Sequence, residues 1–499
     1  MFLVKSLIAI SVLVTVACAH SIDLERNLAR SFPPNASSSQ LNVYPIPTGV
    51  NNNTAFTVKV RSPGGSWMPL DAYLVNLNLV NTTTGAGEQQ RSSMVYFDFQ
   101  GSVEVSVTYN NGPITSAVIR PYSYRLVPQL RGNSTLEFTL TEPRNLIVQV
   151  NDNIFDCLHL LSNNIEVDAP TGNSSDVIYF GPGVHGVSGG VLQVPSGKTV
   201  YIAGGAVLTA HVNFSNVHDA SIRGRGVLYN NPGGAITVEY SSNITIDGAI
   251  TALNPNGYAV LAGQVDGLTI RGLHAFSSKG NGDGIDLFSC QNAVIDRVFM
   301  RNSDDCIALY NHRWNYYGNS SNITVQNSSL WADVAHPVNI GTHGNTDSPE
   351  TMDGVTIKNI DILDHREPQM LYQGCIAINP GDGNMIQNVN IEDIRVEDFR
   401  IGQLINMRVM YNTMYNTSPG RGISNVTIKN MNYTGTHANP SILEGYDSDR
   451  SINFITFENL VINGKQIADT MRKPTWYLTS DFVPMFANDH INNLTFLAT

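Results

Sequence analysis

One short pattern recurs through most of this chain: a turn residue, two or three strand residues, and a β-branched or aromatic residue to close. The copies are Thr199-Val200-Tyr201-Ile202, Asp219-Ala220-Ser221-Ile222, Asn243-Ile244-Thr245-Ile246, Gly267-Leu268-Thr269-Ile270 and Asn292-Ala293-Val294-Ile295. They continue as Asn322-Ile323-Thr324-Val325, Gly354-Val355-Thr356-Ile357, Asn388-Val389-Asn390-Ile391, Asn425-Val426-Thr427-Ile428 and Phe454-Ile455-Thr456-Phe457. Their last residues lie 20, 24, 24, 25, 30, 32, 34, 37 and 29 positions apart. A unit this short cannot bury its apolar face alone, so the copies must stack as coils, with later insertions leaving as loops. Helical periodicity is nearly absent. The reading is all-β: a parallel β-helix over 176–499.

A second strand recurs once per coil, at Ala235–Val238, Tyr258–Leu261, Gly284–Phe288, Cys306–Tyr310, Pro337–Ile340, Cys375–Asn379 and Leu404–Arg408. In three successive coils an ionisable residue precedes this strand at the same offset. Asp283 stands two residues before Ile285, Asp305 two before Ile307, and His336 two before Val338, with Asp304 beside Asp305. Parallel strands lie about 4.8 Å apart, so stacking turns these positions into a column. Carboxylates that close cannot all ionise, and one is expected to keep its proton near neutrality. An acid beside a base is what splitting a glycosidic bond requires. The longest insertions, 312–320, 343–352, 365–373 and 409–422, flank the column and carry Trp314, Tyr316, Tyr317, Tyr372, Tyr411 and Tyr415. Aromatic rings there suit sugar stacking. Asp283, Asp304, Asp305 and His336 are therefore the expected catalytic residues. Asn281, Asn339, Asn379, Arg408 and Tyr372 are the expected substrate contacts.

The first third reads differently. In 41–168 apolar residues alternate with polar ones, as in Phe56-Val58-Val60, Val103-Val105-Val107 and Leu136-Phe138-Leu140. Turn clusters such as Asn110-Asn111-Gly112 separate the runs. This predicts an antiparallel β-sandwich with no catalytic constellation. The stretch 168–175, Asp-Ala-Pro-Thr-Gly-Asn-Ser-Ser, has linker composition.

Residues 1–19 carry Lys5, the apolar run Leu7–Val16 and Ala17-Cys18-Ala19, the make-up of a signal peptide. Residues 20–40 read as a flexible lead-in. The mature chain is expected to be secreted, monomeric and free of membrane. Cys157, Cys290, Cys306 and Cys375 remain after the leader. Cys290–Cys306 pairing and free buried thiols are both open. Fourteen Asn-x-Ser/Thr sequons, including Asn243, Asn322, Asn416 and Asn425, suggest a glycoprotein. Net charge is −12 without a basic stripe, which argues against nucleic acid. No metal-ligand spacing is present. No cofactor is expected.

Asn281-Gly282-Asp283-Gly284, Asp304-Asp305-Cys306 and His336 followed by Ile340-Gly341 resemble the motifs of glycoside hydrolase family 28, the polygalacturonases. The related family 49, dextranases and isopullulanases, carries a similar aspartate trio and an N-terminal sandwich. The resemblance implies a right-handed β-helix, Asp304 as general acid, Asp283 and Asp305 activating water, and inversion at the anomeric carbon. Two departures bear on substrate. Ala335 and Pro337 stand where the family has glycines around His336, and Ala377 and Asn379 stand where its Arg and Lys clamp a sugar carboxylate. Arg408, one coil on, is a partial substitute. The expected activity is hydrolysis of α-glycosidic bonds in a pectic polymer or a neutral α-glucan. The rivals are a calcium-dependent polysaccharide lyase and a non-catalytic carbohydrate-binding β-helix.

Overall fold

The computed structural model describes residues 39–81, 84, 86–472 and 483–498. The expected leader, 1–19, and all but the end of the 20–40 segment lie outside them. Up to Asn163 the strands form two facing sheets. One runs in the order Gln40–Val43, Gly87–Gln100, Leu158–Asn163, Asn145–Val150, Ala117–Arg120, with Tyr73–Val80 also paired to Gly87–Gln100. The other runs Met68–Leu70, Phe56–Arg61, Val103–Tyr109, Thr135–Leu140, Gln129–Arg131. The alternation read from sequence places Val58, Val60, Val105 and Phe138 against Val95, Phe97 and Leu146 in one core. The sandwich departs from a purely antiparallel one where Leu158–Asn163 runs parallel to Gly87–Gln100, with Leu158 opposite Ser93. Leu158–Asn163 is the last strand before the solenoid.

From Val177 onward the chain winds as a right-handed parallel β-helix. The early coils each give two strands to a 20-stranded sheet and one to an 11-stranded sheet; in Ser320–Ala332, Thr351–Asp364, Met385–Val396 and Gly422–Tyr433 the two run together as one long strand. Ile222, Ile246, Ile270, Ile295, Val325, Ile357, Ile391, Ile428 and Phe457 stack in register, as the repeat predicts. The first copy does not. Val200, not Ile202, pairs with Ile222, and Ile202 faces Gly224. A shift of two residues keeps the same face inward, so hydrophobic alternation alone cannot detect it.

The turns before these strands explain the asparagines. Asn243, Asn292, Asn322, Asn388 and Asn425 all adopt left-handed φ between 52° and 57°. Their side-chain amides donate to the preceding coil: Asn292 to Asp266 at 2.7 Å, Asn322 to Asn292 at 2.7 Å, Asn425 to Asn388 at 2.7 Å. Asparagine tolerates this conformation better than other side chains do.

Sandwich and solenoid share an apolar seam. Tyr73, Val75, Leu77 and Ile147 pack on Leu253, Phe276, Phe299 and Trp331. Fully buried Arg301 crosses this seam, paired with Asp333 at 3.0 Å and stacked 4.0 Å over Trp331. The seam uses strands of the 20-stranded sheet that follow the repeat copies, among them Thr251–Leu253, His274–Phe276 and Phe299–Asn302. The 11-stranded sheet, with the aspartate column, faces elsewhere.

Candidate active site

The column forms as the shared offset requires. Strands Ile285–Phe288, Ile307–Tyr310 and Val338–Gly341 pair with Ile285, Ile307 and Val338 level. The backbone ladder continues one step earlier: Gly284 N–H donates to the Asp305 carbonyl at 2.8 Å and Cys306 N–H to that of His336 at 2.9 Å. Gly284 is needed here, because a Cβ would sit 2.2 Å from the Cys306 carbonyl oxygen. One carboxylate oxygen from each of Asp283, Asp304 and Asp305 lies within 4.8 Å of the others. They open into a cleft of about 310 Å³.

Asp305 is the most tightly held. Its Oδ1 accepts from His336 N–H at 2.9 Å and His336 Nδ1–H at 2.7 Å; its Oδ2 accepts from Asn339 at 2.8 Å and the Tyr310 hydroxyl at 3.2 Å. Burial alone would raise its pKa, but the His336 charge and these hydrogen bonds hold it below the usual carboxylate range. His336 is wholly buried, and its Nε2 reaches the Tyr372 carbonyl. Both ring nitrogens therefore face acceptors, so both carry protons. Burial would lower the His336 pKa; the Asp305 partner overrides it and lifts it to about 9.

The other carboxyls go the opposite way. Burial, then the Asp305 charge, raises Asp304 to about 7. Burial followed by Asp286, Asp304 and Asp305 pushes Asp283 well above its ordinary value. Asp283 Oδ1 has no hydrogen-bond partner. The three oxygens offered by the trio are also a set that a divalent cation could bridge.

The remaining expected contacts divide. Asn281, at left-handed φ 54°, and Tyr372 line the cleft. Asn339 and Asn379 are completely buried. Asn339 holds Asp305, and Asn379 accepts from the Arg408 backbone at 3.2 Å. The insertion 365–373 lies over this part of the column, with the Tyr372 hydroxyl accepting from Asn339 at 3.1 Å. Arg408 is not brought to the carboxylates. It pairs with Glu444 at 2.6 Å and donates to the Leu371 carbonyl at 2.5 Å, tying down that insertion. Tyr415 stacks on Tyr372 at 4.9 Å beside the cleft, whereas Tyr316 packs its own loop against Phe288.

Sequence reasoning missed Asp286, Arg313, His343 and Glu367, all of which line the cleft. Asp286 was detectable: Ile285 and Leu287 point inward, so the residue between them must point out. Arg313, His343 and Glu367 sit on insertions, where no periodicity fixes direction. Arg313 brings to the cleft a cation that the spacing of the column does not reveal. The open question on cysteines resolves to four free, buried thiols. Cys306 lies level with Gly284, while Cys290 follows Phe288 at the far end of that strand, out of bonding range.

Comparison with known proteins agrees with this geometry. The model of glycosyl hydrolases family 28 matches residues 178–476, and the chain belongs to that family. It is similar to a probable endopolygalacturonase D of Neosartorya fischeri, 24% identical over 54% of this chain and 50% of that protein. It is also similar to a polygalacturonase of Chamaecyparis obtusa, 26% identical over 43% of this chain and 39% of the relative. The chain thus spans half or less of the length of these relatives. Among solved structures, Dex49A from Penicillium minioluteum shares the fold, with a TM-score of 0.59 at 12% identity, covering 91% of this chain and 96% of the other.

Proposed function

We propose that this protein is a secreted glycoside hydrolase that cleaves α-glycosidic bonds of a polysaccharide with inversion. The observation that carries the reading is the split among adjacent carboxyls: Asp304 keeps its proton to about pH 7 while Asp305 stays ionised. Asp304 protonates the leaving oxygen. All four hydrogen bonds to Asp305 come from protein donors, so its part is to fix the charge that raises Asp304. Asp283, with an oxygen free, is the better placed of the pair to take a proton from water. His336 acts through Asp305 and does not touch substrate. Inversion rests on the motif resemblance. The nearest-oxygen spacing, within 4.8 Å, is shorter than the carboxyl separations of about 5–5.5 Å or 6.5–9.5 Å that mark retaining and inverting enzymes.

A second reading is favoured by one observation. Arg313 supplies a cation beside three carboxylates, the parts a cation-dependent lyase needs. One screen separates the two. Homogalacturonan, rhamnogalacturonan, pullulan and dextran are offered with and without EDTA. The hydrolase releases reducing ends indifferent to chelator and without an ultraviolet-absorbing product, and Asp304→Asn folds but releases none. Activity lost to EDTA with a new ultraviolet band would establish the lyase instead.

A further inference from the structure

Arg313 sits at the head of the 312–320 insertion, in a tight hairpin where Arg313 and Tyr316 exchange backbone hydrogen bonds and Trp314 takes a left-handed φ of 53°. Its guanidinium lies 4.8 Å from the Trp314 ring centroid and donates through Nη1 to His343 Nε2. Its Nε is buried with no hydrogen-bond partner. Among the described residues it forms no ion pair, although Asp286 and Asp283 line the same cleft. Arg301 pairs with Asp333, Arg400 with Asp364 and Arg408 with Glu444, whereas Arg366, at the seam, donates to the Val80 carbonyl and does not line the cleft. A half-buried guanidinium held by a neutral imidazole and a ring, with a donor unused, is arranged to meet an anion that arrives from outside.

We infer that Arg313 is the specificity-determining cation of the cleft and binds the carboxylate of an acidic sugar residue in the polymer. This rests on the hydrolase reading for the identity of the site, and it chooses acidic polymers over neutral glucans. The 376–379 strand cannot do this work, because Ala377 and Asn379 carry no charge, are wholly buried and do not line the cleft. The charge balance of the cleft supports the choice. The Asp305–His336 pair cancels, and burial raises Asp286, Asp304 and Glu367 above their ordinary values, so each competes less as an anion for Arg313. His343, pushed down to about 3 by burial and then by Arg313, stays neutral and accepts from the guanidinium without competing for the anion.

Binding tests this without depending on turnover. Calorimetry is run on the full chain carrying Asp304→Asn, with an oligogalacturonate, its methyl ester and maltotriose as ligands. The acid is expected to bind about 10–100-fold tighter than the ester, the worth of one charge-assisted contact. Adding Arg313→Gln should erase that difference, and Arg313→Lys should restore part of it. Equal affinity for acid and ester, or a preference that survives Arg313→Gln, overturns the inference. If Arg313 serves only as counter-charge to Asp286, Arg313→Gln shifts the pH profile of the wild-type background on every substrate alike and leaves the acid-to-ester ratio unchanged, which also overturns it. Failure of the hydrolase reading shows separately, as no reducing ends from any polymer while the acid still binds.

Discussion

At the scale of single residues, the site depends on one aspartate being made different from its neighbours. Asp304 and Asp305 are adjacent in sequence, yet one is raised to about 7 and the other lowered. The cause is the doubly donating His336 beneath Asp305 and its absence beneath Asp304. The account predicts a pH–rate profile whose alkaline limb falls through about pH 7, as Asp304 loses its proton. The acid limb is set by Asp283, the group that takes the proton from water, and lies above the ordinary carboxylate value because burial and the neighbouring carboxyls raise it. The Asp304 shift also sets stability. A carboxyl raised on folding ionises first in the unfolded chain, so its contribution to stability falls as pH rises from the ordinary carboxylate value toward 7. Asp304→Asn should therefore melt above wild type at pH 8 and level with it at pH 4. Thermal scans at the two pH values check this; an equal difference at both would contradict it.

At the scale of elements, the repeat was legible because turn, inward and outward positions recur with fixed chemistry. The stacking of Ile246, Ile270 and Ile295, and the levelling of Asp283, Asp305 and His336, follow from that register. Two things were not legible. The first copy slipped by two residues, which leaves alternation intact. The insertions lack a period, so the arrival of Arg313 was not written in spacing. Some of the sequons also have a structural reading. An Asn-Ile-Thr triplet is what a coil start asks for: a left-handed turn residue, an inward apolar residue, an outward β-branched one. Asn243, Asn322 and Asn425 satisfy it structurally, and Asn416 is buried with its amide on the Thr342 carbonyl at 2.5 Å. At these four positions the triplet therefore has a structural reason of its own. Asn322→Ala should destabilise more than Asn322→Gly, by about 1 kcal/mol, because alanine adds left-handed strain to the lost hydrogen bond. Urea unfolding measures it; equal midpoints would remove the turn argument.

At the scale of the whole molecule, the sandwich is a buttress. It covers the outward side of Leu253, Phe276, Phe299 and Trp331, and Arg301 and Asp333 satisfy each other where the bodies meet. The pairs Arg120–Glu397 and Arg225–Asp98 cross between sandwich and solenoid, so parting the two would strand buried charges. Strands such as Thr251–Leu253, His274–Phe276 and Phe299–Asn302 are thereby fixed, and the 11-stranded sheet, whose strands follow the carboxyls, is left to form the cleft. Sequence composition indicated the two architectures but not which face they share, since the seam residues read as ordinary core. The central claim is hydrolysis with Asp304 as acid and water entering from the opposite side of the ring. Proton NMR of freshly released product from the best substrate tests it most directly. The account predicts a new saturated reducing end whose first-formed anomer is β where the cleaved bond was α, and no product from Asp304→Asn. A first-formed α anomer, or an unsaturated end, would contradict it.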